Sequence, residues 1–261
     1  MRKSLMACTP ALLLALGGSP ASAQLALNDT GLTACFNDTA STGGLEPATH
    51  PRQDCRTGRD PAAAAGFVKK TGAGSDAFDF TKISNAGAAL PANAALGTSS
   101  NDWGCTYDNL TGLMWEVKTT VATDLRYFWH TYTWYSTDPT VNGGDPGYED
   151  GGYCQGGITC DTQAYETAVK AAGISGHNDW RLPTVQELNT LVDFSHPHGE
   201  GVGSFDAAYF PTLQFDTAYW SRTSDSKDPG KAWYVYYNGG FTVSNRKYLY
   251  DGYVMLVRSG K

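Results

Sequence analysis

The sequence lacks the short motifs that identify common enzyme and metal-binding classes. It has no Cys-x-x-Cys pair, no Gly-x-Ser-x-Gly elbow, no His-Glu-x-x-His helix and no phosphate-binding glycine loop. The usual spacings of zinc ribbons, c-type haem attachment, redox dithiols and common hydrolases are therefore absent. Carboxylate pairs are assembled in three dimensions, so a secreted carboxylate-dependent hydrolase stays open as an alternative function.

No apolar run reaches the roughly 20 residues that a transmembrane helix needs. The longest, residues 5–16, follows the basic start Met1-Arg2-Lys3-Ser4 and precedes the small residues Ala21-Ser22-Ala23. This order is typical of a secretory signal peptide. We expect residues 1–23 to be removed and the mature chain to be exported to the periplasm, the cell surface or the medium.

Basic residues are scarce, with 19 Lys and Arg against 26 Asp and Glu and a net charge of −7. The only short basic clusters are Lys69-Lys70 and Arg246-Lys247. A polyanion needs a concentrated basic stripe, so the sequence excludes nucleic acid as a partner.

Cysteines are few, and five of the six lie beyond the signal peptide. In an exported protein they are better interpreted as disulfide partners than as nucleophiles. Cys154 and Cys160 flank a glycine-rich loop, while Cys35 and Cys55 bracket a stretch rich in Pro, Gly and Thr. We predict these two disulfides, which leaves Cys105 unpaired.

Large apolar residues are also rare between residues 24 and 100, which form an Ala/Gly-rich N-terminal arm. Within it, residues 78–83 alternate apolar and polar side chains, the pattern of a half-buried strand. The arm should therefore pack in part on the main domain, residues 101–261. An arm that reaches a neighbouring molecule would instead make the protein a structural subunit, as a homo-oligomer or in an extracellular assembly.

Two helices are predicted in the main domain. Apolar residues recur at helical spacing over residues 162–172, with Asp161 as the N-cap and Gly173 as the stop. Thr184-Val185-Gln186-Glu187 is a capping box that begins the second helix, and Pro183 fixes its entry.

Strands follow near the end of the chain. Residues 232–237 and 253–257 have strand composition, and Asn238-Gly239-Gly240 supplies the turn chemistry of a hairpin. Two helices beside several antiparallel strands predict an α+β domain.

Five motifs of this domain carry a family resemblance. In chain order they are Thr111-Gly112-Leu113-Met114-Trp115-Glu116, Gly176-His177-Asn178-Asp179-Trp180-Arg181-Leu182-Pro183-Thr184, Tyr219-Trp220-Ser221, Ala232-Trp233-Tyr234-Val235 and Val257-Arg258-Ser259-Gly260. Together, over about residues 103–260, the chain resembles the Lcl C-terminal domain family of bacterial exported proteins. The resemblance implies a C-type-lectin-like fold and a non-enzymatic recognition or adhesion module whose partner is a glycan or a surface protein.

The resemblance carries further implications. It implies a cysteine near position 175, where this chain has Ser175, which would explain the unpaired Cys105. The family's namesake is a collagen-like adhesin that binds sulfated polysaccharide. This chain has no Gly-x-y tract for a collagen-like stalk, and its negative net charge argues against the same ligand. The implied fold is related to the sulfatase-modifying-factor domains, which use a pair of reactive cysteines in their chemistry, and no matching pair occurs in this sequence.

Ligand-binding candidates lie in an aromatic segment and around the hairpin. In residues 127–135, packing of the rings in the core or beneath the N-terminal arm is favoured, and stacking of exposed Trp129 and Trp134 rings on sugars is the alternative. Tyr236, Arg246 and Tyr248 are the other candidates. Function is expected in the loops over residues 138–160, 195–208 and 238–252.

Two loops contain candidate metal ligands. Asp145, Glu149 and Asp150 lie among glycines, which suits calcium as a cofactor, and a solvated loop is the alternative. Possible metal ligands alternate with other residues in His196-Pro197-His198-Gly199-Glu200, and a flexible insertion is the alternative interpretation of this segment. The Arg181-Leu182-Pro183-Thr184 motif is assigned to structure, because the helix cap and core packing explain its residues.

Overall fold

The computed structural model describes residues 27–196, 202–248 and 251–260. Its helices are α1 (Arg59–Ala64), α2 (Thr162–Ala172) and α3 (Val185–Asn189). Its strands are β1 (Cys35–Phe36), β2 (Ser41–Gly43), β3 (Phe80–Ser84), β4 (Ala89–Leu90), β5 (Trp103–Asp108), β6 (Leu113–Glu116), β7 (Tyr132–Thr133), β8 (Ala218–Ser224), β9 (Lys231–Tyr236), β10 (Phe241–Arg246), β11 (Asp251–Gly252) and β12 (Val257–Ser259). The predicted α+β class is confirmed, with α1 as a helix that the sequence did not indicate.

The largest sheet has five antiparallel strands in the order β12, β6, β5, β3 and β4. Asp108 shapes the turn between β5 and β6, since its Oδ1 accepts hydrogen bonds from the backbone amides of Leu110 and Thr111. Gly112 closes this turn with φ of 72°, a conformation that favours glycine. The turn therefore fixes β6 for pairing with β12, so two distant family motifs meet in one sheet.

A second antiparallel sheet has the order β10, β9 and β8. Its hairpin confirms the predicted turn at residues 238–240, with Tyr236 opposite Phe241. Residues 253–257 are only partly regular: Tyr253 makes an isolated bridge to Tyr219, and β12 begins at Val257.

Both predicted helix starts are confirmed. The Asp161 carboxylate accepts a hydrogen bond from the amide of Ala164, and α2 ends at Gly173 in the left-handed conformation. Thr184 and Glu187 form the capping box of α3. This helix ends at Asn189.

Three tryptophans anchor the core around α2. Trp134, Trp180 and Trp220 are fully buried, and each indole N–H donates to a backbone carbonyl 2.8–3.1 Å away. A buried ring whose polar edge is satisfied combines large apolar burial with no unpaired donor. The rings thus fix the backbone of the segments that surround them.

A buried ionic network joins β6 to α2. The ammonium group of Lys118 donates to the Tyr165 hydroxyl at 2.6 Å and lies 3.2 Å from the Glu116 carboxylate. Tyr165 in turn donates to Glu116. Burial lowers the pKa of Lys118 to about 8 despite the opposing charge of Glu116.

Residues that precede the main domain take part in its core. The strand predicted at residues 78–83 forms as β3. Phe78 and Phe80 are buried in one core cluster with residues of α3, of the five-stranded sheet and of the three-stranded sheet. Asn28 also bridges to the domain, because its amide donates to the Asp108 carboxylate and to the Thr190 carbonyl.

Both predicted disulfides are confirmed. The Cα atoms of Cys35 and Cys55 lie 5.2 Å apart, and those of Cys154 and Cys160 lie 5.5 Å apart. Cys105 is a buried free thiol, and its Sγ lies 3.0 Å from Oγ of Ser175.

Two predictions concern residues outside the described ranges. These are the signal peptide at residues 1–23 and most of the metal-ligand segment, of which only His196 is described. Across the described ranges, no helix is both long and apolar enough to cross a membrane.

Candidate functional site

A groove crosses the surface beside the first turn of α2. Its central depression, of about 140 Å³, is bordered by residues 134–141 and α2. Tyr135 and Gln163 also line a depression of about 360 Å³ along the outer face of α2. Val141 and Arg222 also line a third, of about 400 Å³, beside the end of β8. Each outer depression therefore adjoins the central one through shared wall residues, and the three together are called the groove.

Hydrogen bonds to α2 hold the wall of the groove. The Thr162 hydroxyl accepts from the amide of Tyr135 at 3.0 Å and donates to its carbonyl at 2.9 Å. Two residues further, Thr137 donates through its amide and its hydroxyl to the Gln163 side chain. The wall is therefore fixed by a helix rather than left as a free loop.

The charged motif residues in the groove are already paired. Arg181 makes a bidentate ion pair with Glu187 at 2.7 and 2.8 Å. Burial opposes ionisation of Glu187, but hydrogen bonds from Arg181 and Thr184 outweigh it and lower its pKa. Glu166 binds Lys170 at 2.6 Å. These residues stabilise the start of α3 and the groove floor, as the structural interpretation of the motif predicts.

Arg222 differs from these residues. Its backbone amide donates to the Pro183 carbonyl at 2.7 Å, which fixes its place on β8. Within the described parts of the chain, its guanidinium group has no hydrogen bond and no ion pair. The nearby Asp138 carboxylate is held by Thr140, whose hydrogen bonds lower the Asp138 pKa, with a minor contribution from the charge of Arg222.

Comparison with known families matches residues 104–258 to the Lcl C-terminal domain. The chain belongs to the Lcl C-terminal domain family. The match covers every part of the groove, and it begins within β5, so β3 and β4 lie before it. No curated protein and no solved structure matches the chain.

In the Lcl C-terminal domain a lysine fills the loop predicted to bind calcium. The side chain of Lys247 is fully buried, and its Nζ donates to the carbonyls of Asn142 and Asp145, both at 2.8 Å. It also lies 3.9 Å from the centre of the Trp134 ring, a cation–π contact. Burial lowers the pKa of Lys247 to about 8. An ammonium group therefore occupies carbonyls that a metal ion would use.

The predicted calcium ligands do not converge. Asp145 accepts from the amide of Gly147, and Asp150 accepts from the amide of Cys160, both at 2.8 Å. Glu149 is exposed and lines the groove along α2. In the described ranges these three carboxylates form no cluster with metal-ligand spacing. The structure thus places these three carboxylates in turns and in the groove wall, and calcium binding by them stays a prediction.

A cluster that the sequence did not indicate lies in the N-terminal arm. Carboxylate oxygens of Asp29, Asp54 and Asp60 lie within 4.8 Å of one another. Asp60 accepts from the amides of Gly31 and Ala77. Burial, and then the charge of Asp29, raises the pKa of Asp60 to about 6. The cluster joins the start of the arm to α1 and to the residues before β3.

The two tryptophan candidates have different environments. Trp134 borders the groove, but its side chain is fully buried and its N–H donates to the Ser221 carbonyl. Its ring is part of the core, as the favoured interpretation of the segment has it, and is not exposed for stacking on a ligand. Trp129 is 50% exposed and packs against Phe128, with ring centres 5.2 Å apart. It lines none of the three depressions of the groove.

The three hairpin candidates do not form one site. Tyr236 lies at the turn end of the hairpin, where its hydroxyl donates to the Asp216 carbonyl. Arg246 lies at the opposite end, 3.8 Å from Asp228 and 6.0 Å from the centre of the half-exposed Tyr248 ring. The structure thus separates Tyr236 from the other two and places all three outside the groove.

Sequence patterns did not identify Arg222 or the outer face of α2 as functional. One sequence feature points to Arg222. This charged residue follows directly after the Tyr219-Trp220-Ser221 motif, which belongs to a buried strand. The groove is assembled from residues 138–141, 162–171 and 222–229, which are distant in sequence.

Proposed function

We propose that this protein is an exported recognition module that binds a glycan along the groove of its Lcl C-terminal domain. The adjacency of the three depressions carries the proposal, because a chain-like ligand needs an extended surface rather than one closed pocket. Their walls combine hydroxyl, amide and carboxylate side chains with alanines on α2. Such walls suit ligands that present hydroxyl groups and small apolar faces.

The scaffold fits this role. Two disulfides are consistent with an exported protein, and we assign the compartment to the periplasm, the cell surface or the medium. We further propose that the α+β core is C-type-lectin-like, with recognition assigned to the loop around residues 138–149 and the adjoining helix.

Recognition is favoured over hydrolysis by the state of Asp138, a carboxylate in the central depression of the groove. Asp138 is held in its charged form by hydrogen bonds from Thr140, which lower its pKa. Glycosidases need one carboxylic acid whose pKa is raised so that it can donate a proton. In the described ranges, the Asp residues with a raised pKa are Asp60, Asp76 and Asp108, and none of them lines the groove.

A matched pair of substitutions on α2 tests the proposal. Ala171 and Ala172 are both exposed, but only Ala171 lines the groove. Ala171→Trp should abolish binding to the glycans that the wild-type protein retains on a glycan array, because the indole fills the groove. Ala172→Trp, with the same change in helix propensity, should bind like the wild type. Absence of glycan binding by the wild type, or equal binding by both variants, would contradict the proposal.

A further inference from the structure

Two arginines line the groove, and in the described part of the chain one of them has no ion-pair partner. The guanidinium group of Arg181 is neutralised by two hydrogen bonds to Glu187, and the carboxylate of Glu166 is neutralised by Lys170. Arg222 is half-buried and lines two of the three depressions, yet its side chain has no partner within ion-pair distance in the parts of the chain that the structure describes.

An unpaired guanidinium in a groove favours a particular ligand chemistry. Its N–H groups form a rigid planar fork that matches the two oxygens of a carboxylate, and such bidentate bonds are stronger than neutral hydrogen bonds. The backbone bond from Arg222 to Pro183 holds the strand in place, so the side chain starts from a fixed position. Arg222 is thus positioned to anchor one anionic group.

The surrounding charges limit how many anionic groups the ligand carries. Asp138 borders the depression beside Arg222, Glu149 lies further along the groove, and the chain has a net charge of −7. A densely charged polyanion would be repelled by these carboxylates. A ligand with one isolated carboxylate among neutral hydroxyl groups would pair with Arg222 and would be repelled little by the carboxylates of Asp138 and Glu149.

We infer that Arg222 binds the carboxylate of a uronic acid in an otherwise neutral glycan. The inference rests on the proposed function of the groove and names the ligand group that decides specificity. A carboxylate of an acidic peptide offers the same planar oxygens, so the experiment must separate these two sources.

Calorimetric titration of the full mature chain provides the test. The probes are a tetrasaccharide with one glucuronate, its carboxyl-reduced form, and an acidic tetrapeptide. The glucuronate probe should bind the wild type at least about tenfold more tightly than the reduced form, because one charge-assisted bidentate contact is lost. The peptide should bind more weakly than the glucuronate probe.

Three variants test whether Arg222 causes the preference for the glucuronate probe. Arg222→Gln should lower the affinity for the glucuronate probe to that for the reduced form, and Arg222→Lys should retain part of the difference. Arg56→Gln removes the same charge from an exposed position away from the groove and should keep the full difference. Thermal melting of each variant shows that the fold is retained.

The outcomes separate the two proposals. If both tetrasaccharides bind equally, and Ala171→Trp abolishes that binding, the groove function stands and the role of Arg222 is refuted. If the preference survives in Arg222→Gln, or if the peptide binds best, the inference is also refuted. If neither tetrasaccharide binds the wild type, the inference fails, and the glycan array then decides the groove proposal.

Discussion

Replacing Ser175 with cysteine is expected to create a disulfide with Cys105. In the wild type, Sγ of Cys105 lies 3.0 Å from Oγ of Ser175, and both side chains are buried. Cysteine has a longer bond to its terminal atom than serine, so the two sulfur atoms would come closer than this. Ser175 has a φ of 53°. Replacement by cysteine adds no backbone strain at this φ, because serine and cysteine both have a Cβ atom.

The expected change in the free energy of unfolding on Ser175→Cys is the difference between two opposing effects. The bridge would close a loop with a sequence separation of 70 residues. A loop of this length lowers the entropy of the unfolded chain enough to stabilise the fold by about 4 kcal/mol. The substitution also removes the buried hydrogen bond from Ser175 to the Ser84 carbonyl, which costs about 1–3 kcal/mol. We expect a net gain of about 2 kcal/mol, or roughly 4–8 °C in Tm for a chain of this size.

Thiol titration in denaturant and thermal melting measure this prediction. The wild type should show one free thiol and Ser175→Cys none after oxidative refolding. Burial raises the pKa of Cys105 to about 12, so the bridge must form during folding, before the thiol is enclosed. Ser175→Ala is the control, because it loses the same hydrogen bond without gaining a bridge. Two free thiols in Ser175→Cys, or no stabilisation over its reduced form, would refute the reasoning.

Two further predictions concern the core and the loop at residues 142–147. Trp134→Ala should destabilise the protein by about 3–5 kcal/mol, and Trp129→Ala by about 1 kcal/mol or less, since only the first ring is fully buried; equal urea midpoints would contradict this. Burial lowers the pKa of Lys247 from 10.5 to about 8, so between these pH values the unfolded chain binds more protons at this site than the folded chain. The free energy of unfolding of the wild type should therefore rise from pH 8 to pH 10.5 relative to that of Lys247→Met, measured by urea titration; parallel profiles would show that Lys247 does not titrate in this range.

Local patterns predicted the local structure well. Asp161, Thr184 and Glu187 act through hydrogen bonds to backbone groups three residues away, so the sequence contains both partners of each cap. The hairpin turn at residues 238–240 is equally local. The end of α3 was not predictable in this way, because the chain leaves the helix after Asn189 while Leu191 and Val192 remain buried.

The candidate site was less predictable because it depends on long-range pairing. The carboxylates of the loop at residues 142–150 suggested calcium, but the lysine that fills the loop is Lys247, about 100 residues away. The aromatic segment gave no signal to distinguish the buried Trp134 from the half-exposed Trp129. Arg222 became a candidate only when the structure showed which arginines in the groove lack partners.

The place of β3 in the five-stranded sheet has a consequence for where this domain begins. The family match starts at residue 104, inside β5, whereas β3 pairs with β5 along Phe80–Ser84. A fragment starting at residue 104 would leave one side of β5 unpaired and would expose the core that Phe80 covers. Unpaired strand edges tend to pair with other chains, so we expect the smallest autonomous unit to include about 25 residues before the recognisable family segment.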